Sequence, residues 1–189
     1  MNSNPLLQML LAYDMAKDSF RIARRAIKTQ EPIARQRLLQ RTCVETQTII
    51  NAERMIKESN KESDDLFVLK MWATFERFIR DDLQKRGQIL CNTQPPALGI
   101  SIYQHFEKEV EFWKAAEILD FLKDGLFKEK PGLIGHAKQV LAYRDWVGHG
   151  KNPKKPPSTD MKPVAAYNTL NEIVETLLLY PPANISSPI

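Results

Sequence analysis

The sequence predicts an all-α fold, an up-and-down bundle of about six helices, and three observations lead there. Apolar residues recur at three- and four-residue spacing in segment after segment, the pattern of helices with one buried face. The chain has only seven glycines, and its twelve prolines cluster between the apolar segments, which favours long helices joined by short loops. No stretch alternates apolar and polar residues as a half-buried strand does, and no internal repeat is visible. At 189 residues the chain is the size of one domain and long enough to bury a core. A single helical domain is therefore expected over 1–180, followed by a fraying Pro-rich tail over 181–189.

The elements follow in order. Asn4-Pro5 offers an N-cap with proline at the first helical position, and Leu6, Leu10, Tyr13, Ala16, Phe20, Ala23 and Ile27 form the apolar stripe of a first helix. Glu31-Pro32 interrupts it, and a second helix is expected from Ile33 to about Lys57. Ser63-Asp64-Asp65 reads as the cap of a third helix ending near Lys85, with Val68, Trp72, Phe75, Ile79 and Leu83 inward and Met71 and Phe78 widening the stripe. After Gln94-Pro95-Pro96, a fourth helix is expected from about Phe106 to Leu126, turning Phe112, Ala116, Leu119, Leu122 and Leu126 inward. Pro131-Gly132 breaks again before a fifth helix, Ile134 to Gly148. Beyond the loop from Gly150 to Pro163, a last helix places Tyr167, Leu170, Val174 and Leu177 on one side.

Composition narrows the function classes. Cys43 and Cys91 lie far apart with no second Cys or His at ligand spacing, so neither a zinc site nor a disulfide framework is expected and a reducing, cytoplasmic compartment fits. No cofactor is implied, since glycines are too few and wrongly spaced for a phosphate loop. The apolar run Leu6 to Ala12 is too short to span a bilayer and has no basic residue before it, so no membrane role is expected. Net charge is +4, a mild hint of a polyanionic partner. Its distribution says more: eight basic residues stand between Lys17 and Arg41 against the two acids Asp18 and Glu31, and Lys151, Lys154, Lys155 and Lys162 fill the loop after His149.

The stretch richest in chemistry is Tyr143-Arg144-Asp145-Trp146-Val147-Gly148-His149-Gly150-Lys151. Arg144 lies four residues after Val140 and three after Leu141, so it projects from the apolar face of its helix, where an arginine needs acceptors. Glu76, on the border of the third helix's stripe, is a candidate. His149 follows about 140° further round the helix and about 7.5 Å along it, and the glycines on either side suggest that the helix ends there. His105 and His136 have no companions and read as surface or capping residues.

Arg144-Asp145-x-x-x-His149 resembles the R-x4-6-H motif of HEPN domains, including a small polar residue directly after the arginine. Leu69 to Leu83, with Trp72, Phe75 and Glu76, resembles the helix packed beside the motif helix in that superfamily, and the resemblance covers about Asp65 to Tyr180. It implies a small helical bundle that dimerises with the two motifs facing one another. It also implies a metal-independent endoribonuclease leaving 2′,3′-cyclic phosphate, acting on RNA as a toxin or host-defence effector, with an antitoxin or other operon partner. Other members of the superfamily have lost catalysis and bind only RNA or nucleotide. The sequence departs from toxins whose motif continues H-x-Y: Lys151 stands where they carry the modified tyrosine.

The residues can also be judged by their chemistry. Cleaving RNA without metal needs a base and an acid near neutral pKa and a fixed cation beside the phosphorane. Histidine suits the first two roles and arginine the third. One chain supplies one such histidine, which is a physical reason to expect a homodimer with a composite site. The scarcity of clustered carboxylates and histidines argues against a two-metal nuclease. The same residues also fit a structural reading, with Arg144 paired to Glu76 or Asp145 and His149 favoured by the helix dipole. Asp145 either orients His149 or is an exposed acid. The stripe Arg21, Arg25 and Lys28 either tracks phosphates or is a solvated face. Lys151, Lys154 and Lys155 are better placed to touch substrate, and Trp146 to stack on a base. If the charge is irrelevant, the chain is a helical adaptor for another protein.

Overall fold

The computed structural model describes residues 3–182, and the tail expected over 181–189 lies outside the described residues from 183 onward. The first element forms as its sequence dictates: Asn4 Oδ1 accepts from the Leu6 N–H at 3.0 Å, capping α1 (Leu6–Ile27). At Glu31 the carboxylate accepts from the Ile33 N–H at 2.9 Å and from the Ala34 N–H, and Pro32 opens the short α2 (Pro32–Leu39). Five more helices follow: α3 (Ile49–Gly87), α4 (Pro96–Phe112), α5 (Ala115–Asp124), α6 (Pro131–Gly148) and α7 (Pro163–Leu179), with a 3-10 turn at Gln88–Asn92 before α4. The described residues are thus all-helical, with seven α-helices and no strand. None of these helices is long and apolar enough to cross a membrane.

Three of the expected boundaries are corrected. The helix expected from Ile33 to Lys57 stops at Leu39, and turns fill 40–48. Thr42, Thr46 and Thr48 stand in that stretch, and threonine hydroxyls compete for backbone groups that a helix would use. Thr42 Oγ1 donates to the Leu39 carbonyl at 2.7 Å, and Thr48 Oγ1 accepts from the Asn51 N–H at 3.3 Å as the cap of α3. Next, Ser63-Asp64-Asp65 is no cap, because α3 runs through it for 39 residues without a proline or an internal glycine to stop it. Asp64 pairs sideways instead, with Tyr13 Oη and Lys17 Nζ, each at 2.8 Å.

Finally, the single helix expected over Phe106 to Leu126 starts ten residues earlier, at Pro96, and is cut in two. Trp113 and Lys114 are both extended (ψ 136° and 144°), so α5 restarts in a new phase. Of the expected stripe, Leu119 and Leu122 are buried, while Phe112 is 81% exposed and Ala116 and Leu126 face solvent.

The chain divides into two compact units, Leu7–Phe67 and the remainder from Val68 onward together with the residues up to Leu6. In the first, Ile27, Leu39, Val44, Ala52 and Ile56 form the core, with Phe20, Ala23, Ala26 and Met55 packed on it. Tyr13 stacks on Phe67 with ring centroids 4.2 Å apart, and burial followed by the Asp64 hydrogen bond pushes its phenol well above its usual pKa.

In the second unit the stripe Val68, Met71, Trp72, Phe75, Ile79 and Leu83 of α3 is buried, as are Ile134, Ala137, Val140 and Tyr143 of α6 and Tyr167, Leu170, Val174 and Leu177 of α7. Two arginines of α3 hold the orphan carbonyls at other helices' C-termini. Arg80 donates to Val110 O and, at 2.9 Å, to Trp113 O. Arg86 donates to Leu177 O (3.2 Å) and Tyr180 O (2.5 Å). Gly99 is required by a close approach: a Cβ there would sit 2.7 Å from the carbonyl oxygens of Cys91 and Thr93.

The continuity of α3 is testable at Lys61, an exposed position that lies mid-helix here and would lie in a loop if a helix started at Ser63. Lys61→Pro is expected to cost about 3 kcal/mol in denaturant unfolding; a loss below about 1 kcal/mol would contradict the continuous helix.

Candidate active site

The motif residues sit in the last turns of α6, and the way that helix ends decides where they point. Gly150 adopts φ 79°, a left-handed conformation that glycine accepts without a side-chain clash. Its N–H donates to Val147 O (3.0 Å) and the Lys151 N–H to Trp146 O (2.9 Å), the paired bonds of a Schellman end. His149 is the residue at that end, exposed, with φ −95° and ψ 19°. Its backbone N–H and its ring Nδ1 both meet the carbonyl oxygen of Asp145, at 2.9 and 2.6 Å. A carbonyl can only accept, so Nδ1 carries the proton and donates, and in the neutral ring Nε2 is the nitrogen with the lone pair. Asp145 therefore orients His149, through its backbone.

The Asp145 carboxylate is engaged elsewhere: Oδ1 accepts from Arg144 Nη1 at 2.7 Å. On the other side Arg144 Nη2 donates to Glu76 Oε2 at 2.9 Å, and the guanidinium lies 5.7 Å from the centroid of the Trp72 ring, within cation–π range. These two contacts use two of the five guanidinium N–H donors.

Glu76 is the hub. Its Oε2 also accepts from Trp72 Nε1 (2.8 Å), and its Oε1 from Arg80 Nη2 (2.7 Å). Burial alone would raise the Glu76 pKa. The hydrogen bonds from Arg80 and Trp72, then the charges of Arg80 and Arg144, outweigh burial and hold it below the usual carboxylate value.

Arg144, Asp145, Glu76 and Arg80 line an open groove of about 410 Å³ with Leu141. Trp113, Lys114, Ala115 and Ala116, at the break between α4 and α5, complete it. His149 is not among the lining residues.

Arg80, Trp113 and Lys114 were not legible as site residues in the sequence. Arg80 had a signal, since it lies four residues after Glu76, the spacing of helical neighbours. Trp113 and Lys114 had none, because the restart of α5 is a tertiary outcome.

The remaining candidates are dispersed. Trp146 is half-buried, 5.8 Å from the Tyr143 ring, and its Nε1 donates to Asn152 O at 3.0 Å, so it braces the following loop. Lys154 and Lys155 are exposed on a turn closed by Asn152, and Lys151 begins that loop at φ 58°. Arg21 and Arg25 are exposed on α1, in the other unit, and Arg21 is paired with Asp18 at 2.5 Å. Among the described residues no three His, Cys, Asp or Glu side chains cluster as metal ligands would.

Comparison with protein families, with curated proteins and with solved structures yields no match for this chain.

The Glu76 hub makes a signed prediction. Its folded pKa is lowered, so its contribution is complete above the usual carboxylate range and disappears as pH falls through the lower folded value. Glu76→Gln is expected to cost about 2 kcal/mol at pH 7, and thermal melting should show the gap to the native chain closing as pH falls below the usual carboxylate range. A gap independent of pH would show that the carboxylate charge is not what stabilises the hub.

Proposed function

We propose that this chain is a metal-independent endoribonuclease of the HEPN kind, acting as a homodimer. The observation that carries the reading is the end of α6, where the exposed His149 is held through Nδ1 by the Asp145 carbonyl, which leaves Nε2 of the neutral ring as the acceptor, five residues from an arginine that keeps unused donors. An imidazole in that tautomer can take a proton from a ribose 2′-OH. The 2′-oxygen then bonds to the adjacent phosphorus and the bond from phosphorus to the 5′-oxygen breaks, leaving a 2′,3′-cyclic phosphate. The departing 5′-oxygen needs a proton, which a protonated His149 of a second copy supplies. Arg144, with a delocalised charge and a planar fork, stabilises the equatorial oxygens of the phosphorane. Lys154 and Lys155, exposed beyond the histidine, suit the flanking phosphates. In this reading the chain is a cytoplasmic toxin or defence effector that a partner such as an antitoxin restrains.

One observation favours a second reading, a catalytically silent module that binds RNA or nucleotide. Arg144 already has two carboxylates, Glu76 and Asp145, within hydrogen-bonding distance, and their charges offset what it can offer to phosphate.

The experiment is cleavage of a mixed RNA panel in excess EDTA. His149→Ala is expected to slow cleavage about 10²- to 10⁴-fold, and Arg144→Ala about 10²- to 10³-fold. Unchanged cleavage by His149→Ala sinks the nuclease reading, and retained binding with no cleavage by any chain favours the silent module. Light scattering should give a dimer at micromolar concentration; a monomer that still cleaves contradicts the composite site.

A further inference from the structure

Three cations, Arg80, Lys114 and Arg144, and two carboxylates, Glu76 and Asp145, line the groove beside the motif. Neither the proton transfers nor the phosphate contact described above uses its far wall. That wall is built from Trp113 and Lys114, two extended residues that end α4 and begin α5. The Trp113 ring is held at 6.0 Å edge-on to Phe106 and at 5.6 Å from Phe121, and its carbonyl is bound by Arg80. It is a fixed aromatic surface, only half-buried, and its neighbour Phe121 is 53% exposed. Ala115 and Ala116 line the same groove, whose volume of about 410 Å³ is within the range of small-ligand clefts. Lys114 has its side chain 82% exposed, with its ammonium 3.6 Å from the Glu117 carboxylate.

An aromatic ring held by its neighbours, small residues beside it and the cations of Lys114 and Arg144 together suit a flat, apolar group carried on an anionic backbone. We propose that this groove is a nucleotide subsite for single-stranded RNA: a base stacks on Trp113, and Lys114 and Arg144 take the phosphates on either side of it. The subsite rests on the reading of the chain as one that acts on RNA, and it assigns the part of the site that holds the nucleotide next to the cleaved bond. Stacking of this kind is tolerant of base identity, so the groove supplies affinity and register more than sequence selectivity.

The test measures binding rather than turnover, using a fluorescent 2′-O-methyl oligonucleotide whose nucleophile is blocked, so that it does not depend on catalysis. Trp113→Leu keeps apolar volume and removes the π face; it is expected to weaken binding about tenfold, whereas Trp113→Phe stays within about threefold of the native chain. A strand of abasic nucleotides should bind the native chain and both variants alike. Equal affinity for Trp113→Leu and the native chain, or the same loss on the abasic strand, overturns the subsite. Should Trp113→Leu melt well below the native chain, the exposed Lys114→Ala decides: the slope of log affinity against log salt should fall by about one, and an unchanged slope overturns the proposal. Cleavage by the native chain with binding indifferent to Trp113 and Lys114 leaves the nuclease reading standing and removes the subsite. Binding that depends on both, with no cleavage, does the reverse. A native chain that binds no strand at micromolar concentration removes both.

Discussion

A half-buried carboxylate with three donors aimed at it organises the motif region. Glu76 receives Trp72 from its own helix and Arg80 one turn further on, and Arg144 reaches it from α6. Arg80 is itself 8% exposed and binds the end of α4, so the same carboxylate that fixes Arg144 also fixes where α4 stops. An arginine so buried would be costly without a counter-charge. The groove, its aromatic wall and the orientation of the motif arginine therefore depend on one ionised side chain.

This arrangement separates two jobs that the motif combines. Arg144 is held inward by the hub, while His149 is held outward by backbone geometry alone: the end of α6, the left-handed Gly150 and one carbonyl oxygen that takes both the backbone N–H and the ring Nδ1–H. The imidazole tautomer thus follows from how the helix terminates. A change that lengthened α6 past Gly150 would alter the histidine's chemistry without touching its neighbours in the groove.

The all-helical character was legible because it depends on local patterning. The stripes of α3 and α7 were legible, and so was the cap at Asn4, since apolar spacing and capping chemistry are written in adjacent residues. Two of the errors share one cause. A capping signature at Ser63-Asp64-Asp65 looks the same whether the carboxylates bind their own backbone or a neighbouring helix, and Asp64 binds Tyr13 and Lys17. A continuous apolar stripe from Phe112 to Leu126 looks the same whether or not two residues in it are extended. In the site, the Arg144–Glu76 pair was legible from burial arguments. Arg80 was legible in principle from its spacing, and the Trp113 wall was not, because no local rule reports where one helix end meets another. Asp145 was read as orienting His149 or as an exposed acid; its backbone holds the histidine while its carboxylate holds the arginine.

The proposed role of His149, with Nε2 activating a ribose 2′-OH beside Arg144, is tested most directly on the RNA. A strand cleaved by the native chain in excess EDTA is resynthesised with a single 2′-deoxy nucleotide at the cleaved linkage, and the ends of the products are identified by mass. The expected result is 2′,3′-cyclic phosphate and 5′-hydroxyl ends on the original strand and no cleavage at the deoxy linkage. Cleavage that persists there, or 5′-phosphate ends, would contradict it, because the nucleophile would then be water and not the neighbouring hydroxyl.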